Sequence, residues 1–330
     1  MTVVTPSHLG LAATGELAER RCAALRVSRS CSLCPRSCGV DRPAGERGWC
    51  GAGPRATVYR HMAHHGEEPP VSGSGGSGTV FFSGCTLACV YCQNHRFSQD
   101  GEGRERSSAE LARMLLSLEA AGCHNANLVT ATQHLPAVLD ALALADEQGF
   151  RLPVVWNTSS YESPEALALL DGVVDVYLAD LRYSSPGAAR LGSGVDDYVE
   201  VSRAALREMR DQVGTLTLDR DGVAVRGLIV RHLVLPNGLA GTRDAMRFVA
   251  DELGRDTFVS LMAQYYPAHR APLVPELARP ITAAEWDEAQ EAVADAGLTN
   301  GWAQDLPLGR SPIAGTEIAP DGGGEKPGGA

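Results

Sequence analysis

From residue 78 onward, hydrophobic and polar positions fall into a repeating order. Short apolar runs alternate with longer stretches whose apolar residues recur every three to four positions. The runs at 78–84 (GTVFFSG), 126–130 (ANLVT), 153–158 (PVVWNT), 174–180 (VDVYLAD), 227–236 (GLIVRHLVLP) and 257–265 (TFVSLMAQY) read as buried strands. The stretches 107–122, 135–149, 163–172, 196–214, 242–254 and 282–297 read as helices between and after them. Ser107 or Ser108 caps the first of these, with Glu110 in its first turn, and Gly149 ends the second. Six strand-then-helix units in series imply parallel strands with right-handed crossovers, either an open doubly wound sheet or a partly closed barrel. Residues 215–227 resemble a hairpin turning near Asp221 and Gly222.

Outside the repeat the pattern is different. Residues 1 to about 12 look frayed. Residues 11–30 predict a helix with Leu17, Ala18, Cys22 and Leu25 on one stripe. The stretch HHGEEPPVSGSGGSG (64–78) has neither period, and reads as a linker or as an ordered loop approaching a site. The tail 311–330 is too rich in Gly and Pro to pack, and is expected to be disordered. The expected organisation is therefore an N-terminal helical or flexible segment (1–25), a Cys-rich metal-binding segment with linker (26–75), a barrel (76–310) and a disordered tail.

Net charge is −11 and the pI about 5.3, which argues against a broad nucleic-acid or anionic-lipid surface. No apolar run reaches the roughly 18 residues of a membrane helix, and the N-terminus has no secretory pattern, so a cytoplasmic location is expected. Seven of the nine cysteines fall into two tight clusters, and in a reducing compartment such clusters read as metal ligands rather than disulfides. Cys22 and Cys123 stand apart and read as ordinary buried thiols.

The stretch SGCTLACVYCQNH holds Cys85, Cys89 and Cys92 directly after the first strand, at the end where barrel active sites lie. A [4Fe–4S] cube takes four thiolates, so three leave one iron open, and an open position marks a reactive metal centre. Structural zinc is the alternative, with His95 as fourth ligand in C-x3-C-x2-C-x2-H. The earlier set, Cys31, Cys34, Cys38 and Cys50, is spaced C-x2-C-x3-C-x11-C and suits a closed zinc site or an auxiliary [4Fe–4S] cluster. Such a small, loop-rich segment has little core, so a bound metal would supply its folding energy. His64, His65, Glu67 and Glu68 read best as a solvated loop.

CTLACVYC resembles the C-x3-C-x-aromatic-C signature of the radical S-adenosylmethionine (SAM) superfamily. Together with LCPRSCGVDRPAGERGWC, HHGEEPPVSG, GCHNANLVT, VDVYLADLRY, IVRHLVLPN and SLMAQY, it resembles uncharacterised relatives of the pyruvate formate-lyase activating enzyme, over about residues 31–310. The resemblance implies an α/β fold, a partial (β/α)6 barrel. It implies a [4Fe–4S] cluster whose open iron binds SAM, and reductive cleavage of SAM to a 5′-deoxyadenosyl radical that takes hydrogen from a substrate. It implies a low-potential electron donor such as flavodoxin or ferredoxin, and Tyr91 packing near the adenine.

Each predicted strand ends on a polar group: Thr130, Asn157 with Thr158, Asp180, Arg231 and Gln264. Such ends converge on one site in parallel α/β folds, although capping of loop backbone accounts for the Thr and Asn residues individually. The resemblance carries SAM contacts onto Arg231 and, through a D-x-K motif, onto Asp180, with Arg182 in the lysine's place. The Gly-Gly-Glu motif that holds the SAM amino group is replaced by NLVTATQH, where Asn127 and Thr130 stand as candidates. The leading function is a radical SAM enzyme that cleaves SAM reductively for hydrogen abstraction, with activation of a partner protein as one version of it that the absent Gly-Gly-Glu motif counts against. The alternatives are a radical SAM enzyme modifying a peptide, RNA or small molecule, and a non-catalytic zinc or iron–sulfur protein for binding or electron transfer.

Overall fold

The computed structural model describes residues 5–305, so the expected disordered tail lies outside the described residues. In chain order the elements are α1 (Ser7–Thr14), α2 (Glu16–Ser28), β1 (Ala56–His64), α3 (Pro69–Ser72), β2 (Ser77–Phe82), α4 (His95–Ser98), β3 (Arg104–Arg106), α5 (Ser108–Ala120), β4 (Ala126–Val129), α6 (Leu135–Asp146), β5 (Val154–Thr158), α7 (Pro164–Leu170), β6 (Val176–Asp180), α8 (Pro186–Ser193), α9 (Tyr198–Val213), β7 (Thr217–Leu218), β8 (Ala224–Leu233), α10 (Thr242–Phe248), β9 (Phe258–Met262), α11 (Ala283–Asp295) and β10 (Gly301–Ala303). The described strands form one path, β10-β9-β8-β6-β5-β4-β2-β1-β3, with β7 paired to β8. From β2 to β10 the neighbours on that path are parallel, while β1 runs antiparallel to both β2 and β3. Each of β2, β4, β5, β6 and β8 pairs with the next parallel strand of that series, and helices fill the crossovers. The six predicted units are the partial barrel. No helix among the described residues is long and apolar enough to cross a membrane.

Alternation along the strands decides what faces where. Leu128, Val154, Trp156, Tyr177, Ala179, Leu228 and Val230 point outward into the core under the helices. Their neighbours Asn127, Asn157, Asp180 and Arg231 therefore point into the lumen. At the amino-terminal end of the strands, Val71, Val155, Val176, Leu178 and Ile229 close the lumen with an apolar layer. Val71 comes from the 65–76 connection between β1 and β2, so the stretch without period is an ordered plug.

The N-terminus departs from the expectation of fraying. Ser7 donates from its backbone N (2.8 Å) and hydroxyl (2.7 Å) to Asp175, and the buried His8 bonds Asp146 and the Leu152 carbonyl. The long N-terminal helix predicted as one is two, because Gly15 takes φ +84° between them. Cys22 is exposed, a correction to its expected burial, while Cys123 is buried. Ser107 caps α5 in a full capping box with Glu110, and Asp219 and Gly222 build the expected hairpin turn.

His232 joins three elements. Its Nδ1 meets the Leu181 carbonyl at 2.6 Å and its Nε2 meets the Thr242 hydroxyl at 3.0 Å. Burial lowers its pKa from 6.5 to about 4. A folded-state value below the unfolded one contributes stability that is present above pH 6.5 and lost as pH falls toward 4. Urea midpoints measured from pH 7 to 4.5 should decline less steeply in His232→Gln than in the parent chain. Parallel declines would remove His232 from the acid response.

Candidate active site

The loop after β2 is held on several sides. Ser83 N donates to Thr57 O and Gly84 N to Phe97 O. Farther along, Val90 N donates to Gly192 O, and Arg270 N donates to Val90 O. Ala88 sits at φ +57° and turns the chain between Cys85 and Cys89. All three thiols are free of disulfides. Each sulfur has a hydrogen-bonding neighbour: Ala88 N donates to Cys85 Sγ (3.4 Å), Ser193 Oγ to Cys89 Sγ (3.0 Å), and Cys92 Sγ pairs with Ser98 Oγ (3.3 Å). One such contact leaves a sulfur with lone pairs to give a metal, and the three lie close enough for the charges of Cys89 and Cys92 to act on Cys85. Burial pushes the metal-free Cys85 thiol up to about 12. No three His, Cys, Asp or Glu side chains among the described residues converge at the spacing of one bound ion. The thiolates of a cube each hold a different iron, and stand farther apart than ligands of a single ion. His95 is turned elsewhere: Asp100 takes its Nδ1 at 2.7 Å and its ring stacks on His269 at 4.5 Å.

Below this loop lies a cavity lined by Tyr91, Cys92, Gln93, Asp180, Arg231 and Gln264, among others. Tyr91 is buried edge-on between Tyr183 and Tyr265, with ring centroids 6.3 and 5.7 Å away. Gln93 reaches across the mouth to the Gln264 carbonyl at 2.9 Å. The sequence-derived residues Asp180, Arg231 and Asn157 meet here. Arg231 donates through Nε to Asp180 (2.8 Å) and through Nη2 to the side-chain amide oxygen of Asn157 (2.7 Å). Arg182, standing where the resemblance expects lysine, also bonds Asp180.

Two members of this cluster escape a sequence reading. Glu67 and Glu68 rise from the plug, and their carboxylates lie 3.6 and 3.9 Å from Arg231 Nη1. Ser260 on β9 also donates to Glu68 at 3.2 Å. Their neighbours in sequence, Gly, Pro and His, give the look of a solvated loop, and only closure of the barrel brings them to Arg231. Burial pushes the Glu68 carboxyl up to about 7 against the pull of Arg231. Burial also opposes the charge of Arg231, but Asp180, Glu68 and Glu67 outweigh it and hold that pKa above its ordinary value.

Other expected residues lie differently. Asn127 is fully buried in the lumen wall, and neither its amide nitrogen nor its amide oxygen has a partner. Thr130 occupies a left-handed turn at φ +56°, its N–H donating to the Asn157 carbonyl at 2.9 Å, so its backbone ties β4 to β5. Thr158 points outward and donates to Glu162 at 2.6 Å, alongside Thr132 and Trp156, while its hydroxyl accepts from Ser160 N at 3.1 Å, which is the local capping role.

The N-terminal cysteines pack against the same loop. Cys31 and Cys50 lie near enough to Cys34 for their charges to act on it, and a methyl group at Gly48 would fall 2.3 Å from Cys38 Sγ. A methyl group at Gly84, next to Cys85, would fall 2.4 Å from the Cys50 carbonyl. Arg36 fastens the two segments by donating to the carbonyls of Thr86, Leu87 and Ser193 at 3.2–3.4 Å.

Removing one partner of a buried ion cluster strands the others, at a cost of about 3–5 kcal/mol. Arg231→Met should therefore lower unfolding free energy by roughly that amount in chemical denaturation, and adding Asp180→Asn should recover part of it. A loss below about 1 kcal/mol would mean that the cluster does not depend on the guanidinium.

Residues 79–219 match the radical SAM superfamily. An uncharacterised protein of Methanocaldococcus jannaschii is 30% identical over 279 residues, covering 81% of this chain and 75% of the relative. Among solved structures, a domain of a pyruvate-formate lyase-activating enzyme from Bacteroides vulgatus matches at 14% identity with a TM-score of 0.38, over 52% of this chain and 92% of that domain. The chain belongs to the radical SAM superfamily, a family whose members use a [4Fe–4S] cluster and SAM.

Proposed function

We propose that Cys85, Cys89 and Cys92 hold the [4Fe–4S] cluster of this enzyme and that SAM occupies the cavity beneath them. The observation carrying this reading is a loop of three disulfide-free thiols whose Cys92 lines the same cavity as Asp180 and Arg231. Held by these three thiols, a cluster with one iron free of cysteine would supply the electron for reductive cleavage of SAM to a 5′-deoxyadenosyl radical.

The chain's own residues bind and orient. Tyr91 lines the cavity and is the proposed wall for adenine. Arg231, fixed by Asp180 and Asn157, is the proposed SAM contact on a floor that its carboxylate neighbours leave net negative. Asp180 is itself bridged by Arg182 and offers acceptors in return. Asn127 and Thr130 lie on the strand where Gly-Gly-Glu is absent, and the unpartnered Asn127 amide is the better candidate to meet a bound group. The aromatic cluster of Tyr91, Tyr161, Tyr183, Tyr198 and Tyr265 excludes water on one side of the cavity.

Cys31, Cys34, Cys38 and Cys50 are proposed to hold a second metal centre, iron–sulfur or zinc. A small electron-transfer protein such as flavodoxin or ferredoxin is proposed as the reductant. A partner protein is the proposed hydrogen donor, on the resemblance to activating enzymes. Incorporation of deuterium from labelled peptide, RNA or metabolite into 5′-deoxyadenosine would redirect that last step.

Protein reconstituted with iron and sulfide without oxygen should be brown, and should form 5′-deoxyadenosine from SAM with a strong reductant. Changing any one of Cys85, Cys89 or Cys92 to Ala should reduce that product at least about 100-fold, to background. Cys31→Ala should leave the barrel cluster's cleavage partly intact. A colourless zinc protein that leaves SAM whole would instead support a non-catalytic metal protein.

A further inference from the structure

The N-terminal cysteine segment contains one buried cation that the function above leaves unused. Arg42 is 3% exposed. Its Nε donates to Cys31 Sγ at 3.0 Å, its Nη2 to Cys50 Sγ at 3.1 Å and its Nη1 to the Ala52 carbonyl at 2.7 Å. The two sulfurs come from opposite ends of the four-cysteine set, so a single planar fork spans the site. The backbone places it there: Arg42 N donates to Ser28 O, while Cys31 N and Gly39 N fold the first three cysteines back through Val40 O and Cys31 O.

A planar guanidinium is costly to bury beside neutral thiols and well matched to thiolates. Four thiolates on an iron–sulfur cube carry net negative charge, and one-electron reduction adds another. A cation in contact, with N–H bonds to two of the sulfurs, favours the reduced form and raises the reduction potential. Burial keeps that effect from being screened. The Cys50 carbonyl rests on Gly84, one residue from Cys85, so the two cysteine sets adjoin.

We propose that Arg42 is the charge-compensating, potential-setting residue of an iron–sulfur centre held by Cys31, Cys34, Cys38 and Cys50. This rests on the reading of those four residues as a metal site and is independent of the SAM reading. It makes Arg42 a positioning residue that acts through two sulfurs and touches no substrate.

The test uses the full chain with Cys85, Cys89 and Cys92 replaced by Ala, so that only the N-terminal centre is loaded. Iron, sulfide and zinc content are measured, followed by an electron paramagnetic resonance redox titration, in Arg42, Arg42→Lys, Arg42→Gln and Arg42→Met. In Arg42→Met the reduced-to-oxidised ratio at a fixed potential should fall about tenfold, a shift of about 59 mV for one electron. Arg42→Lys, which keeps the charge, should stay within about threefold of the parent ratio. If both neutral variants fail to hold iron while Arg42→Lys retains it, charge compensation is supported by that result alone. Three outcomes overturn the proposal: zinc in place of iron in the parent, a Met variant that titrates with the parent, or a Lys variant as impaired as the Met variant. The first rejects the iron–sulfur reading of this site; the other two reject only the role of Arg42.

Discussion

A guanidinium placed where water is scarce must be met by protein, and Arg231 is placed that way by the pleat of β8. Its Nε, Nη1 and Nη2 face two neighbouring strands and the plug at once. Asp180 comes from β6, Asn157 from β5, and Glu67 and Glu68 from the connection that seals the far end of the barrel. Those contacts fix how the strand ends sit around the mouth. The charge they leave on the floor determines what the cavity accepts, so the fold and the site depend on the same ion cluster.

Three carboxylates face two guanidiniums in this cluster, counting Arg182. With every group ionised the lumen carries an excess negative charge, and burial answers by moving the Glu68 carboxyl up to about 7. Either that proton or a cation from outside restores balance. SAM carries a sulfonium and an ammonium against one carboxylate, a net positive charge. The lumen's charge is thus complementary to the cofactor of the family. The empty hydrogen-bonding capacity of Asn127 is a second unmet demand in the same wall.

Most of the barrel is legible in sequence because parallel strands buried on both faces read as apolar runs, and the helices between them carry the 3.6-residue period. The polar residue at each strand end was equally visible, and Asn157, Asp180 and Arg231 do come together. What escaped has a common cause. Glu67 and Glu68 lie far from Arg231 in sequence and in a segment without period, so nothing local marks them as buried. β1 was missed as a strand because its antiparallel pairing is set by β2 and its alternation is weak, with half-buried Arg60, His61 and Met62 in succession. α1 reads as a frayed end in sequence because its anchors, Asp175 and Asp146, are distant along the chain. Thr130 and Thr158 were marked by position at strand ends, but one supplies a backbone turn and the other turns away to Glu162.

The docking of the N-terminal cysteines on Gly84 adds a constraint that runs between the two cysteine-bearing segments. With φ +84° and the Cys50 carbonyl against it, position 84 has no room for a side chain. The loop bearing Cys85, Cys89 and Cys92 is therefore shaped on one side by the segment bearing the other four.

The most direct test of the central claim is electron–nuclear double resonance on the reduced holoprotein with SAM labelled by 15N at its amino group. The account predicts a 15N coupling to the barrel cluster that disappears in Cys89→Ala. A histidine nitrogen coupling in its place, with no coupling from labelled SAM, would contradict it.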